Sequence, residues 1–209
     1  MPRYQLVIFD FDGTLADSAP WFLGELGDLA ERHRFRKLGA AQIAHLRGRP
    51  SREIVKAFGV RWWRMPAIAR DMRRRSAEAA HTIPLFAGVP DLLADLSAAG
   101  VTLAVVSSNG EATVRAVLGA SAGLIDHYGC GVSLFGKARV LAALPRRLGL
   151  ARNAVLCVGD EVRDVEAARK AGLAAGAVTW GYANEAALTA AGPAFVFPSL
   201  EALKTQIIP

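Results

Sequence analysis

The stretch Gln5-Leu6-Val7-Ile8-Phe9-Asp10-Phe11-Asp12-Gly13-Thr14 runs a short, continuous apolar segment straight into two carboxylates spaced two residues apart. A run of that length and character predicts a strand over 5–9, buried on both faces as in a parallel sheet. It is far too short to cross a bilayer. It also leads directly into acidic residues, which a secretory signal does not do. The expectation is therefore a cytoplasmic protein with no membrane partner.

Four further segments share this character, at 102–106, 154–158, 174–178 and 194–197. Between them lie helix-like segments at 89–99, 111–118, 137–148, 161–171 and 185–191. Gly100, Gly119, Gly149, Gly172 and Gly192 stand where those helices would end. This alternation predicts an α/β fold with a doubly wound, Rossmann-like parallel sheet. One interval breaks the rhythm. Residues 16–84 contain no convincing strand, only helical stretches at 21–34, 41–46, 51–58 and 66–80. The interval is too long for a simple crossover, so it reads as an inserted α-helical unit. The core is then 1–15 with 85–209.

A chain of 209 residues, 52% hydrophobic, can bury a sizeable core and shows no sign of disorder. Its formal net charge of +6 is unevenly spread. The interval 16–84 holds 14 Lys or Arg against 7 Asp or Glu, so the excess positive charge lies in the insertion. Such a surface attracts anions, either nucleic acid or a phosphorylated metabolite. The longest basic run, Arg73-Arg74-Arg75, is too short for a nucleic-acid tract. Trp62-Trp63 resembles a base-stacking platform, but packing in the core or between cap and core is the better reading. Cys130 and Cys157 read as reduced, packed thiols, and the four histidines form no ligand pattern.

Ligands of open parallel sheets bind beyond the carboxyl ends of the strands. Asp10 and Asp12 follow the first expected strand, Ser107-Ser108-Asn109 the second, and Gly159-Asp160-Glu161-Val162-Arg163-Asp164 the third. Five carboxylates at one sheet edge repel one another and raise one another's pKa. A hard divalent cation relieves that conflict, and Mg2+ with its preference for oxygen ligands suits it.

With these pieces in place the chain resembles the haloacid dehalogenase superfamily of phosphohydrolases, in its phosphoglycolate-phosphatase-like group. The resemblance rests on Asp10-Phe11-Asp12-Gly13-Thr14-Leu15-Ala16-Asp17-Ser18, Val105-Val106-Ser107-Ser108-Asn109, Lys137 and Gly159-Asp160-Glu161-Val162-Arg163-Asp164. The tail Val178-Thr179-Trp180-Gly181-Tyr182 is similar too, and the helical insertion resembles the family's cap domain. The resemblance implies a phosphatase acting on a small phosphorylated metabolite such as phosphoglycolate. Asp10 would be the nucleophile and Asp12 the general acid and base. Ser107, Ser108, Asn109 and Lys137 would hold the phosphate. Asp10, Asp12 and Asp160 would hold Mg2+, with Asp164 and Glu161 behind them. Asp164 would orient a metal-bound water or Lys137. Asp12 argues against C–halogen hydrolysis, because the family's dehalogenases lack an acid there.

In the cap, Leu46-Arg47-Gly48-Arg49-Pro50-Ser51-Arg52 forms a junction like the loop that closes over substrate in related enzymes. Arg47, Arg49 or Arg52 would meet an anionic leaving group, since the guanidinium fork suits a carboxylate. Two alternatives stand beside this reading. One is a sugar-phosphate mutase of the same family. The other is a nucleic-acid-binding protein on an inactive phosphatase scaffold, against which the complete set of Asp10, Asp12, Ser107, Lys137 and Asp160 argues.

Overall fold

A computed structural model describes residues 2–133 and 136–209 of the chain. In chain order the elements begin with β1 (Leu6–Phe9) and four helices, α1 (Ala19–His33), α2 (Ala40–Leu46), α3 (Ser51–Ala57) and α4 (Met65–Glu78). There follow α5 (Val89–Ala98), β2 (Thr102–Val106), α6 (Glu111–Leu118), β3 (His127–Gly129) and α7 (Lys137–Arg147). The chain closes with β4 (Val155–Gly159), α8 (Val162–Ala171), β5 (Ala174–Val178), α9 (Glu185–Ala190), β6 (Phe195–Phe197) and α10 (Leu200–Ile207).

The six strands form one sheet in the order β3-β2-β1-β4-β5-β6, with every neighbouring pair parallel. β1 lies between β2 and β4, in register Phe9 to Val105 on one side and Phe9 to Val158 on the other. The strand order reverses there, so the ends of β1 and β4 open onto the crevice where such sheets place ligands.

All four side chains of β1 are buried, and they alternate between the sheet's two faces. Val7 and Phe9 pack with Leu92, Leu93 and Leu96 of α5 and with Val114, Leu118, Leu203 and Ile207 of α6 and α10. Leu6 and Ile8 pack with Leu141 and Leu144 of α7, Val165 and Ala168 of α8 and Leu188 of α9. Each such burial contributes about 1.5–3 kcal/mol. This two-sided burial holds the carboxyl end of β1 at a fixed place in the molecule.

Five of the six strands match the sequence expectation to within one residue at either end. β3 was not expected, because His127-Tyr128-Gly129 is a three-residue edge strand, half-buried and not an apolar run. α10 was also unforeseen, although Ser199 caps it and Leu200, Leu203 and Ile207 fall at helical spacing.

The insertion contributes no strand to the sheet. It leaves and rejoins the core through two adjacent segments. Ala16 bridges Leu85, the Asp17 N–H donates to the Pro84 carbonyl (2.9 Å) and the Phe86 N–H donates to the Leu15 carbonyl (3.0 Å). Its own apolar core is thin. α1 buries Leu29 and Ala30, while α2 and α3 bury no residue. Charge makes up the difference. Asp71 on α4, 11% exposed, meets His33 Nε2 at 3.0 Å, Arg74 Nη2 at 2.8 Å, Arg32 Nε at 3.6 Å and Arg75 Nε at 3.7 Å. Arg75 also pairs with Glu25 of α1. Part of the basic excess is thus internal to the cap.

The Arg74 hydrogen bond leads the causes that hold the Asp71 carboxyl down at about 2, with His33, Arg32 and Arg75 assisting against burial. A carboxyl whose folded pKa is depressed stabilises the fold fully above its unfolded value near 4, and that contribution is lost as pH falls through the folded value. Asp71→Asn should therefore destabilise the protein by about 1–2 kcal/mol at pH 7. Thermal melts should show the gap from wild type closing between about pH 4 and pH 2.

Candidate active site

Asp10 follows β1 and its N–H donates to the Val158 carbonyl of β4 (2.8 Å), so it sits at the seam of the two central strands. Asp160 and Asp164 come from the end of β4 and the first turn of α8. Lys137 opens α7, which packs against α8 on the same face of the sheet. Four residues from three chain segments converge here. Lys137 Nζ lies 2.9 Å from Asp10 Oδ1 and 2.6 Å from Asp164 Oδ1. Asp10, Asp160 and Asp164 each offer a carboxylate oxygen within 4.8 Å of the others. All three are buried, Asp160 completely.

The electrostatics follow from that crowding. Burial first, then Asp164, pushes the Asp10 carboxyl up, while Lys137 pulls it back. Burial also raises Asp160 well above the usual range, with Glu161, Asp164 and Asp10 adding to the effect. Asp164 departs in the other direction. Burial works against its charge, but Lys137 and Arg163 prevail and hold it below the usual range. Burial opposes the Lys137 charge too, and Asp10 and Asp164 overcome it, so the ammonium is held charged.

Both Asp164 oxygens have partners: Oδ1 accepts from Lys137 and Oδ2 accepts from the Glu161 N–H (3.0 Å), closing the first turn of α8. Asp164 Oδ1 lies 2.6 Å from the Lys137 ammonium. Glu161 pairs with Arg163. Asp160 has no cationic side chain within salt-bridge distance among the described residues. Its Oδ1 accepts from Thr14 Oγ1 (3.0 Å) and its Oδ2 from the Tyr182 N–H (2.7 Å). Each carboxylate oxygen carries two lone pairs, so these bonds leave acceptor capacity. A buried, cation-free carboxylate beside Asp10 is an all-oxygen donor set that fits a hard divalent cation.

Thr14 and Tyr182 are contacts that sequence reasoning did not assign. Thr14 lay within the recognised motif, but its partner is 146 residues away. Gly13 makes the approach possible. Its φ is +75° and a Cβ there would sit 2.2 Å from Asp160 Oδ2.

Asp12 is half-buried, and burial followed by the neighbouring Asp10 pushes its pKa up to about 6. Asn109 Nδ2 donates to Asp12 Oδ2 (2.9 Å), so Asn109, expected on phosphate, reaches the second carboxylate of the motif. Ser107 is buried, and its Oγ accepts from the Asn109 N–H (3.0 Å), while Ser108 is exposed. The unforeseen β3 braces this loop. The Ser107 N–H donates to the Gly129 carbonyl, and the Val132 and Gly131 N–H groups donate to the Ser107 and Asn109 carbonyls.

The cap residues are placed differently from one another. Arg47 Nε donates to the Tyr182 carbonyl (2.7 Å) and its Nη2 to the Gly181 carbonyl (2.9 Å), so this side chain is spent on the core. Arg49 lies near Glu53 (3.8 Å), and Arg52 is exposed with no carboxylate within salt-bridge distance among the described residues. Trp62 and Trp63 are 77% and 58% exposed, which overturns the packing expectation for them. They lie edge to face with each other, with Arg61 over the Trp63 ring. Cys130 and Cys157 are both free, as expected. Among the described residues no helix is long and apolar enough to cross a membrane.

The chain is similar to several known proteins. The chain is 37% identical over 191 residues to a phosphoglycolate phosphatase of Synechococcus elongatus, covering 90% of each protein. It is 35% identical over 189 residues to the tyrosine-protein kinase PtkA of Mycobacterium tuberculosis, covering 85% of this chain and 63% of that one. A hydrolase of the haloacid dehalogenase-like family from Streptococcus pneumoniae superposes with a TM-score of 0.80 at 21% identity, over 97% of this chain and 98% of that one. The fold of that protein is the fold described above. The family model for haloacid dehalogenase-like hydrolases matches residues 7–178, strand β1 through strand β5, and the chain belongs to that family.

Proposed function

We infer that the protein is a Mg2+-dependent phosphatase that hydrolyses a small phosphomonoester through a phosphorylated Asp10. The observation that carries this reading is Lys137 set between Asp10 and Asp164, with the buried, cation-free Asp160 beside them at the sheet's switch point. Curated relatives of this chain are named phosphoglycolate phosphatases, so a small carboxylated phosphomonoester is the substrate class proposed.

An Asp10 carboxylate oxygen attacks phosphorus, a P–O bond forms to Asp10, and the P–O bond to the leaving alcohol breaks. Asp12, whose pKa is pushed up to about 6 by burial and Asp10, donates a proton to the departing oxygen. Asp12 then takes a proton from the water that attacks the phosphorylated Asp10, and phosphate leaves. Lys137 steadies the charge on Asp10 and the phosphoryl oxygens throughout, with Asp164 holding the lysine in place. Ser107 and the amides of its loop hold phosphate oxygens, and Asn109 positions Asp12. Asp10, Asp160 and the Asp12 carbonyl would hold Mg2+, which would supply positive charge against the phosphate, with Glu161 behind them. Arg49 and Arg52 are the cap arginines left to meet an anionic leaving group. The unit spanning 16–84 closes over the site and excludes bulk water from the transfer.

Phosphate release from a panel of phosphomonoesters, including phosphoglycolate, sugar phosphates and nucleotides, tests the reading. Turnover should require magnesium, stop with EDTA and fall by more than a thousandfold in Asp10→Asn. Release of no phosphate from any compound by folded, magnesium-loaded protein would overturn hydrolysis. Transfer to an added acceptor would then be assayed, since one relative is named a kinase.

Lys137→Met should lower kcat by about a hundredfold or more. It also leaves Asp10 and Asp164 buried without the ammonium that bonds them, a change that costs about 3–5 kcal/mol where a buried pair is broken. Calorimetry should show that loss in the absence of magnesium, with partial recovery when magnesium is added.

A further inference from the structure

Arg47 sits at the end of α2, where the following Gly48 adopts φ +84° and turns the chain toward the core. Three hydrogen bonds tie this turn to the segment between β5 and α9. Arg47 Nε and Nη2 donate to the carbonyls of Tyr182 and Gly181, and Asn184 Nδ2 donates to the Arg47 carbonyl (2.9 Å). The turn also sits flush on α9, because a Cβ on Gly48 would lie 2.4 Å from Ala187 Cβ. Asn184 performs a second task at the same time, as its Oδ1 caps α9 through the Ala187 N–H (2.9 Å).

The segment that receives these bonds is itself joined to the site. The Tyr182 carbonyl accepts from Arg47, while the Tyr182 N–H donates to Asp160 Oδ2 (2.7 Å). One residue therefore connects the cap to the buried carboxylate beside Asp10. The Tyr182 ring completes the contact from another side of the cap. Its hydroxyl meets Ser18 Oγ at 3.0 Å, and its ring packs edge to face on Phe22 of α1.

We propose that Arg47, Gly48 and Asn184 form a latch that holds the cap closed on the Gly181–Asn184 segment, and that Arg47 is a positioning residue which does not contact the substrate. The latch biases a two-state equilibrium between docked and undocked cap. Through Tyr182 it also fixes the orientation of Asp160 in the docked state. A guanidinium suits the task because its planar fork reaches two successive carbonyls at once, which an ammonium does with less directionality. The kinetic part rests on the phosphatase reading above, and the structural part stands without it.

The test uses the full-length protein with Arg47→Ala, Arg47→Lys and Asn184→Ser, the last of which keeps a capping hydroxyl for α9. Hydrogen exchange is followed in the 40–58 and 181–184 segments without substrate. kcat and KM are measured with magnesium on phosphoglycolate and on p-nitrophenyl phosphate, which carries no carboxylate. Faster exchange in both segments is expected in Arg47→Ala and Asn184→Ser. Loss of about one to two hydrogen bonds predicts a fall in kcat/KM of roughly five- to fiftyfold, equal on both substrates, with Arg47→Lys in between. A fall confined to phosphoglycolate with unchanged exchange would overturn the proposal, since Arg47 would then bind the substrate carboxylate. Unchanged exchange and unchanged kinetics would overturn it as well. If no variant or wild type releases phosphate, the phosphatase reading fails, and the exchange rates still decide the latch.

Discussion

Lys137 between Asp10 and Asp164 is the interaction on which the rest of the site depends. Three carboxylates are buried within a few ångströms of one another, and one ammonium lies between two of them. Such a cluster is expensive to bury and survives only where many other contacts over-determine it. Here those contacts are the two apolar faces of β1, which leave the end of the strand no freedom to swing away from Lys137. α7 and α8 pack side by side on one of those faces, so they bring Lys137 and Asp164 to the same point. Among the described residues Asp160 is the member with no cationic side chain within salt-bridge distance, so its charge is left unbalanced in a way that an all-oxygen donor set for a hard cation would suit.

The insertion obeys a different physics. Its helices bury little apolar surface, and much of its cohesion comes from Asp71 and Arg75 with their partners. Its covalent ties to the core are two neighbouring segments paired over a few residues. A body with a modest core on a narrow neck can move as a unit without disturbing the sheet. The insertion's side-chain contacts with the core include the Arg47 and Asn184 hydrogen bonds and the Ser18 and Phe22 contacts with Tyr182. The acidic cluster is deeply packed, while the insertion buries little apolar surface and is the less protected of the two against local opening.

Much of this was legible in the sequence because it is encoded locally. A short apolar run predicts a buried strand whatever follows it, and a Gly after a helical segment marks its end, so the parallel sheet and the helical insertion could be read directly. The rule that ligands gather at the carboxyl ends of parallel strands points in the sequence to the segments after β1, β2 and β4. β3 escaped because an edge strand of three half-buried residues carries no such local signal.

The identity of each side chain's partner is another matter. Thr14 and Tyr182 on Asp160, Asn109 on Asp12, and Arg47 on the carbonyls of Gly181 and Tyr182 join residues far apart along the chain. Nothing local distinguishes an arginine that reaches a substrate from one that reaches a backbone carbonyl, or a tryptophan pair that is packed from one that is exposed. The sequence by itself determined the fold class, a parallel sheet with a helical insertion, because periodicity and turn chemistry act between near neighbours. Only the tertiary structure decided which donors meet which acceptors, because hydrogen bonds and ion pairs depend on distances that exist only once the chain has folded.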